Sequence, residues 1–252
     1  MALSLTAALA AVVVPLSTAP KPADAGGQRF DLTRWTDPRG HGHVVRWDPC
    51  TTVTYAVNVD LAGRTPSARG GALADARKAM DRAAARTGMS FRYVGTTHEV
   101  PRDGGGTGWA ERQSAAEIVI AWVTPETSNL LSQVGSSYAS GTGGWMWKAW
   151  TTPSGAWRLA IGRGFVVINA KQNGDYAKGF GSGTTRGALL LHEIGHALGL
   201  NHVGNTNELM YPTMLNRRSS RYKNGDEDGL TRLGRHAGCI GVTDSIWRPL
   251  PR

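Results

Sequence analysis

The spacing of hydrophobic residues changes several times along this chain. Val53, Tyr55, Val57 and Val59 alternate with smaller or polar residues, a period of two that predicts a strand with one buried face. From 72 to 86 the period lengthens: Leu73, Ala76 and Met80 fall at helical spacing in an alanine-rich run, which predicts a helix packed on the sheet. Phe91–Val94 and Ile118–Val123 are short apolar runs and predict two further strands. Residues 126–144 are rich in Ser and Gly and predict a loop. Trp157–Ile161 and Phe165–Ile168 predict two more strands, around Gly162 and Gly164. A Gly-rich stretch over 170–184 leads to a helix expected to start near Thr185. Residues 26–44 are polar with Gly and Pro and predict an irregular N-terminal segment. No internal repeat is present.

One apolar run does not fit a globular element. Leu5 to Leu16 has the length of a signal-peptide core, is too short to span a bilayer, and contains Pro15. Ala23-Asp24-Ala25 follows as a cleavage site of the A-x-A kind. The expected organisation is therefore a signal peptide over 1–25, the irregular segment over 26–44 and one domain over 45–252, with the mature protein secreted. Export gives the two cysteines a meaning, since an even count in an oxidising compartment predicts one disulfide, Cys50 to Cys239. Chain-entropy arguments assign so long a loop about 4–5 kcal/mol. The net charge of +9 raises the question of nucleic acid, but the arginines are scattered and no nucleic-acid module is recognisable. The basic surface reads as a solvated one that could favour anionic cell walls or acidic proteins.

The chemistry is concentrated in His192-Glu193-Ile194-Gly195-His196-Ala197-Leu198-Gly199-Leu200-Asn201-His202. Residues four apart on an α-helix lie about 40° apart around the axis and about 6 Å along it, so His192 and His196 share a face and can reach one ion. Glu193 is rotated by about 100° from His192 and borders that face without joining it. On a continued helix His202 would point about 240° away from His196, so the helix has to stop between them. Gly199 stands at the stop, because glycine accepts the left-handed backbone of a helix C-terminus. Three histidines leave a fourth metal position for water, as in catalytic rather than structural zinc sites.

His192, Glu193, His196, Gly199 and His202, with Met210 downstream, resemble the metzincin metalloproteases. Leu209-Met210-Tyr211-Pro212 most resembles the matrixin branch and its small secreted bacterial relatives. The resemblance is specific over about 185–215 and looser from Arg46 to Cys239. It implies an α+β, zincin-like metzincin fold: a twisted mixed β-sheet with a backing helix and an active-site helix. It also implies one catalytic Zn2+ held by His192, His196 and His202, with Glu193 as general base and Met210 in a tight turn beneath them. The activity implied is a secreted zinc endopeptidase, in which zinc polarises the scissile carbonyl and lowers the pKa of a water. Protein or peptide is the expected substrate and the chain an expected monomer, with no nucleic-acid partner and no membrane span. The alternative is a non-catalytic or cell-wall-directed zinc protein, a peptidoglycan peptide hydrolase or binding protein, on the same fold.

Some features depart from the matrixin pattern. No cysteine is placed to cap the metal from a propeptide, so a chain starting at Gly26 is expected to be active without further trimming. No histidine lies between His98 and His192, so no second, structural zinc is expected. Val203 follows His202 where several branches carry serine or an acid. Tyr211 is a possible substrate or oxyanion support, and Asp226 is similar to the family's buried acidic residue. Trp145, Trp147, Trp150 and Trp157 either pack the core or line a cleft. The stretch Gly225–Gly229 lacks the alternating oxygen ligands of a calcium loop and is expected to open the last helix.

Overall fold

A computed structural model describes residues 29–103 and 116–242, and the expected signal peptide lies outside the described residues. The segment expected to be irregular instead forms a hairpin of β1 (Arg34–Thr36) and β2 (Gly42–Val44). Its turn is organised by Asp37, whose buried carboxylate accepts from the backbone N–H groups of Arg39 and His41 and pairs with the rings of His41 and His43. The polar composition that suggested an irregular segment is what builds this turn.

The alternating run forms β3 (Thr52–Asn58), followed by α1 (Pro66–Thr87), β4 (Ser90–Thr96) and β5 (Ile118–Val123). Helix α1 begins six residues before the predicted start. Thr65 caps it by accepting from Ala68 N at 3.1 Å, Pro66 suits the first turn, and Gly88 at φ 65° ends it. Its buried face is mostly alanine (Ala72, Ala76, Ala79, Ala83), which lets the helix lie close against its neighbours. Strand β5 is buried at every position, as expected of a parallel strand covered on both faces. Ile118, Ile120 and Trp122 join the core under the helices, and Val119, Ala121 and Val123 pack with Leu130, Leu131 and Phe165 on the other side.

The region read as loop and two short strands is different. A small hairpin, β6 (Gln133–Val134) with β7 (Ser137–Tyr138), leads into β8 (Gly141–Thr151), which pairs antiparallel along its length with one continuous strand, β9 (Trp157–Asn169). Glycines disguised this hairpin. Gly164 is not a break: a Cβ there would lie 3.2 Å from both the Trp47 ring and Ile118, so it marks a close approach inside the strand. The five-stranded sheet has the order β4-β3-β5-β9-β8, parallel except for β8 at the edge. Helices α2 (Arg186–Leu198) and α3 (Asn224–Leu233) complete this mixed α+β fold. Cys50 and Cys239 are joined as expected, with Cα atoms 5.3 Å apart, and Asp48 beside them accepts from the N–H groups of Ile240, Gly241 and Val242.

Candidate metal centre and catalytic site

The N-terminus of α2 is capped by Thr185, whose hydroxyl accepts from Ala188 N, and Gly199 at φ 114° ends the helix. The backbone N–H of Leu200 then bonds back to Gly195 O at 2.9 Å. This C-cap reverses the chain and brings His202 to His192 and His196. The three Nε2 atoms lie 3.2 Å (192–196), 3.1 Å (192–202) and 3.0 Å (196–202) apart. The Nδ1 atoms of His192 and His196 lie 2.8 Å from the carbonyl oxygens of Leu209 and Leu200. A carbonyl only accepts, so those Nδ1 atoms carry the protons and their Nε2 lone pairs converge.

Sequence reasoning missed what holds His202. The backbone N–H of Asn201 bonds Asp31 O at 3.0 Å, its Nδ2 bonds Asp31 Oδ2 at 3.1 Å, and its Oδ1 accepts from Thr33 Oγ1 at 3.0 Å. Leu32, buried between these contacts, bridges Leu200. On the other side of His202, Val203 N bonds Met210 O at 3.1 Å. The N-terminal segment thus braces the turn that carries His202.

Met210 is buried directly beneath α2, where a Cβ on Gly195 would meet its sulfur at 2.5 Å. Its turn hangs on Asp226, which accepts from Leu209 N at 2.7 Å, Met210 N at 3.2 Å and Lys223 N at 2.9 Å. Leu209 therefore connects Asp226, through its peptide, to the ring of His192. Burial, opposed by these three N–H groups, pushes the Asp226 carboxyl up to about 6. Glu208, also buried, accepts from Gly225 N and Asp226 N, and Arg217 donates to the carbonyls of Thr206, Asn207 and Glu208. Gly225–Gly229 opens α3 as expected, with Asp226 committed to the methionine turn, Glu227 paired with Arg86 and Asp228 with Arg29.

Glu193 lies under the start of β8. A Cβ on Gly143 would come within 1.9 Å of the Glu193 carbonyl oxygen, and one on Gly141 within 2.8 Å of its Oε1. Only glycine fits at these two positions, and a run of glycines just before an aromatic strand was the available signal. Burial pushes the Glu193 carboxyl up to about 8, against a hydrogen bond from the Gly143 backbone. Burial likewise lowers His192 to about 4, helped by repulsion from His202, and lowers His196 and His202. The imidazoles are thus neutral, which is the state that binds metal.

Buried lone pairs about 3 Å apart repel one another unless a cation sits between them. A tetrahedral zinc with Zn–N bonds of about 2.0–2.1 Å spans nitrogens at this spacing. The donor set of neutral histidines, each of two oriented by a carbonyl, fits zinc. His41 and His43 are occupied with Asp37, and exposed His98 with Asp60 at 2.7 Å, so these three are spent locally. Tyr211 is half-buried beside Met210 with its N–H toward Glu208 O. Of the tryptophans, Trp147 and Trp157 each lie 5.5 Å from Trp35, where they pack the β1–β2 hairpin onto the β8–β9 hairpin.

A mixed sheet with one antiparallel edge strand, over a helix whose two histidines meet a third beyond its glycine cap, defines a metzincin. The matrixin family model matches residues 111–234, and the chain is a matrixin-like metzincin. The matrixin domain is that of a family of zinc metalloendopeptidases. No curated protein matches the chain.

Proposed function

We propose that this chain is a secreted zinc-dependent endopeptidase, with a catalytic domain over 45–252 that the segment 26–44 supports, behind a cleaved leader over 1–25. The observation that carries the reading is the triangle of three Nε2 atoms 3.0–3.2 Å apart, two of them oriented by backbone carbonyls. His192, His196 and His202 would hold the ion. Zinc at this position supplies Lewis acidity toward a water molecule and a scissile carbonyl. Glu193 accepts the proton of the attacking water and delivers it to the leaving amine. A carboxyl raised by burial is suited to both halves of that transfer, and a bound cation pulls it back toward the ionised form. As the edge strand of the five-stranded sheet, β8 offers backbone groups at its glycine-rich start to an extended peptide, and Gly141 and Gly143 bring that start over Glu193. Tyr211 is a candidate to support the oxyanion. The disulfide supports an extracytoplasmic location, and no helix among the described residues is long and apolar enough to cross a membrane.

The test is a substrate panel of unfolded protein and peptidoglycan peptides, run with the parent protein and with Glu193→Gln. The parent should cut unfolded protein, and the variant should keep zinc and fold while losing turnover by about 10³-fold or more. Cleavage confined to peptidoglycan peptides would move the substrate class to the cell wall. Near-normal proteolysis by Glu193→Gln would place the base elsewhere.

A further inference from the structure

Two adjoining hollows share a cationic lining that the proposed catalytic chemistry does not use. One, of about 470 Å³, is lined by Arg82, Arg86 and Arg221 with Phe180, Ser219 and Ser220. The other, of about 240 Å³, is lined by Arg217, Arg218 and Lys223 with Asn207, Asn216 and Ser219. Ser219 lines both, so the hollows adjoin, and neither is lined by an acidic residue.

Part of this charge is fixed in place. The Arg82 guanidinium lies 4.1 Å over the Phe180 ring and donates to Ser220 O. Ser220 is in turn buried and bonded to Thr185 and to Gly181 O. The Lys78 ammonium sits 5.7 Å over the same ring. Arg86 is balanced by Glu227 at 3.0 Å, and Arg217 is held by three carbonyls. Arg218 and Arg221 differ: both are exposed and neither makes a hydrogen bond or ion pair among the described residues. They flank Ser219, which lines both hollows, and Ser220 beside it. A preorganised guanidinium with spare donors, two uncommitted arginines and the Ser219 hydroxyl form a row of donors suited to tetrahedral oxyanions.

The form of the row indicates the ligand. Two hollows in series suit repeated anionic groups on one chain better than a single small anion. Single-stranded nucleic acid would need an aromatic face for base stacking, and the two rings in this lining are taken: Phe180 is covered by Arg82 and Lys78, and Tyr222 is buried with its hydroxyl donating to Leu191 O. We propose that the Arg82–Arg218–Arg221 face binds a linear glycan carrying sulfate or phosphodiester groups. The face would tether the protein to an anionic matrix, independently of cleavage at the metal centre.

Calorimetry on the full chain at 150 mM salt tests this with three probes: a heparin dodecasaccharide, a glycan of similar charge whose sugars are joined by phosphodiesters, and an oligothymidylate. Binding of the first or second identifies the sulfated or the phosphodiester source. Arg218→Ser/Arg221→Ser should weaken that binding about tenfold, with a shallower salt dependence, and leave cleavage of a small peptide unchanged. Arg34→Ser/Arg158→Ser removes the same charge from exposed positions in β1 and β9, outside both hollows, and should change binding less than twofold. Equal losses in the two double variants would reduce the effect to net charge and overturn the site. So would binding to neither glycan, or tighter binding to the oligothymidylate.

Discussion

Helix α2 and the N-terminal segment meet at Gly199–Asn201, and they reveal themselves in opposite ways. The helix carries its chemistry as spacing: positions four and ten residues after His192 hold the other two histidines, and a glycine marks the turn between them. The segment from Asp31 to Val45 has no such signature, yet Asp31 and Thr33 hold Asn201, and Leu32 lies buried against Leu200. Reactive groups on one helix are constrained by local geometry and so can be read locally. Their supports come from 170 residues away in the chain, as with Asp31 and Asn201, and are constrained only by the fold.

The strongest way to break this comparison is to remove the segment. A chain beginning at Val44 loses burial of Leu32, worth about 2–3 kcal/mol, two side-chain hydrogen bonds worth about 1 kcal/mol each, and the packing of Trp35. It should be destabilised by about 4–6 kcal/mol relative to a chain beginning at Gly26, and should hold zinc poorly. Denaturant titration and metal analysis of the two forms check this. Equal stability and activity would make the segment dispensable, which is what its composition alone suggests.

A second test separates the two regions by glycine. Gly143→Ala forces a methyl against the Glu193 carbonyl, whereas a Cβ on Gly42 in the N-terminal hairpin meets nothing within 4 Å. Displacing the base or the edge strand by about 1 Å should lower kcat/KM about 10²-fold in Gly143→Ala, with zinc retained. Gly42→Ala should match the parent. Steady-state kinetics of both variants would contradict the account if they behaved alike.

The same contrast describes how much could be read in advance. The active-site helix and the disulfide were accessible because cap residues and a cysteine pair are local or compositional signals, and the α+β architecture was accessible through the resemblance that the histidine motif carries as much as through periodicity. The β8–β9 hairpin was read as loop and fragments because Gly141, Gly143, Gly144 and Gly164 look like breakers. Their real function is to admit Glu193, Phe165 and Trp47 at close range, a purely tertiary requirement. Asp37 was likewise counted among polar loop residues, although burial of its carboxylate organises the first hairpin.

Asn201→Ala sharpens the comparison at a single contact. It removes the side-chain bonds to Asp31 and Thr33 while leaving every candidate ligand in place. The expected loss is about 1–2 kcal/mol of stability and about tenfold in zinc affinity, the usual scale for a group that orients a ligand indirectly. Competition with a chelator measures the affinity. An unchanged value would mean that Gly199 alone positions His202.

A last effect concerns pH and the support under Met210. Asp226 is pushed up to about 6 in the folded state, whereas an unfolded aspartate titrates near about 3.9. The folded state holds the proton more tightly, so the group's contribution to stability is complete below about pH 4 and is lost as pH rises through about 6. Its ceiling is about 2–3 kcal/mol for two pKa units. The stability difference between the parent and Asp226→Asn should therefore be more favourable to the parent at pH 4 than at pH 7. The opposite slope would mean that the three N–H groups outweigh burial and hold the carboxylate ionised.

The central claim is that His192, His196 and His202 together hold one zinc ion. Zinc-edge X-ray absorption with metal analysis on the purified protein tests it most directly, alongside His192→Ala, His196→Ala and His202→Ala. The account predicts one zinc per chain in a shell of three imidazole nitrogens plus oxygen, and loss of tightly bound zinc in each variant. Full zinc occupancy in any one of the three, or a parent shell containing sulfur, would contradict it.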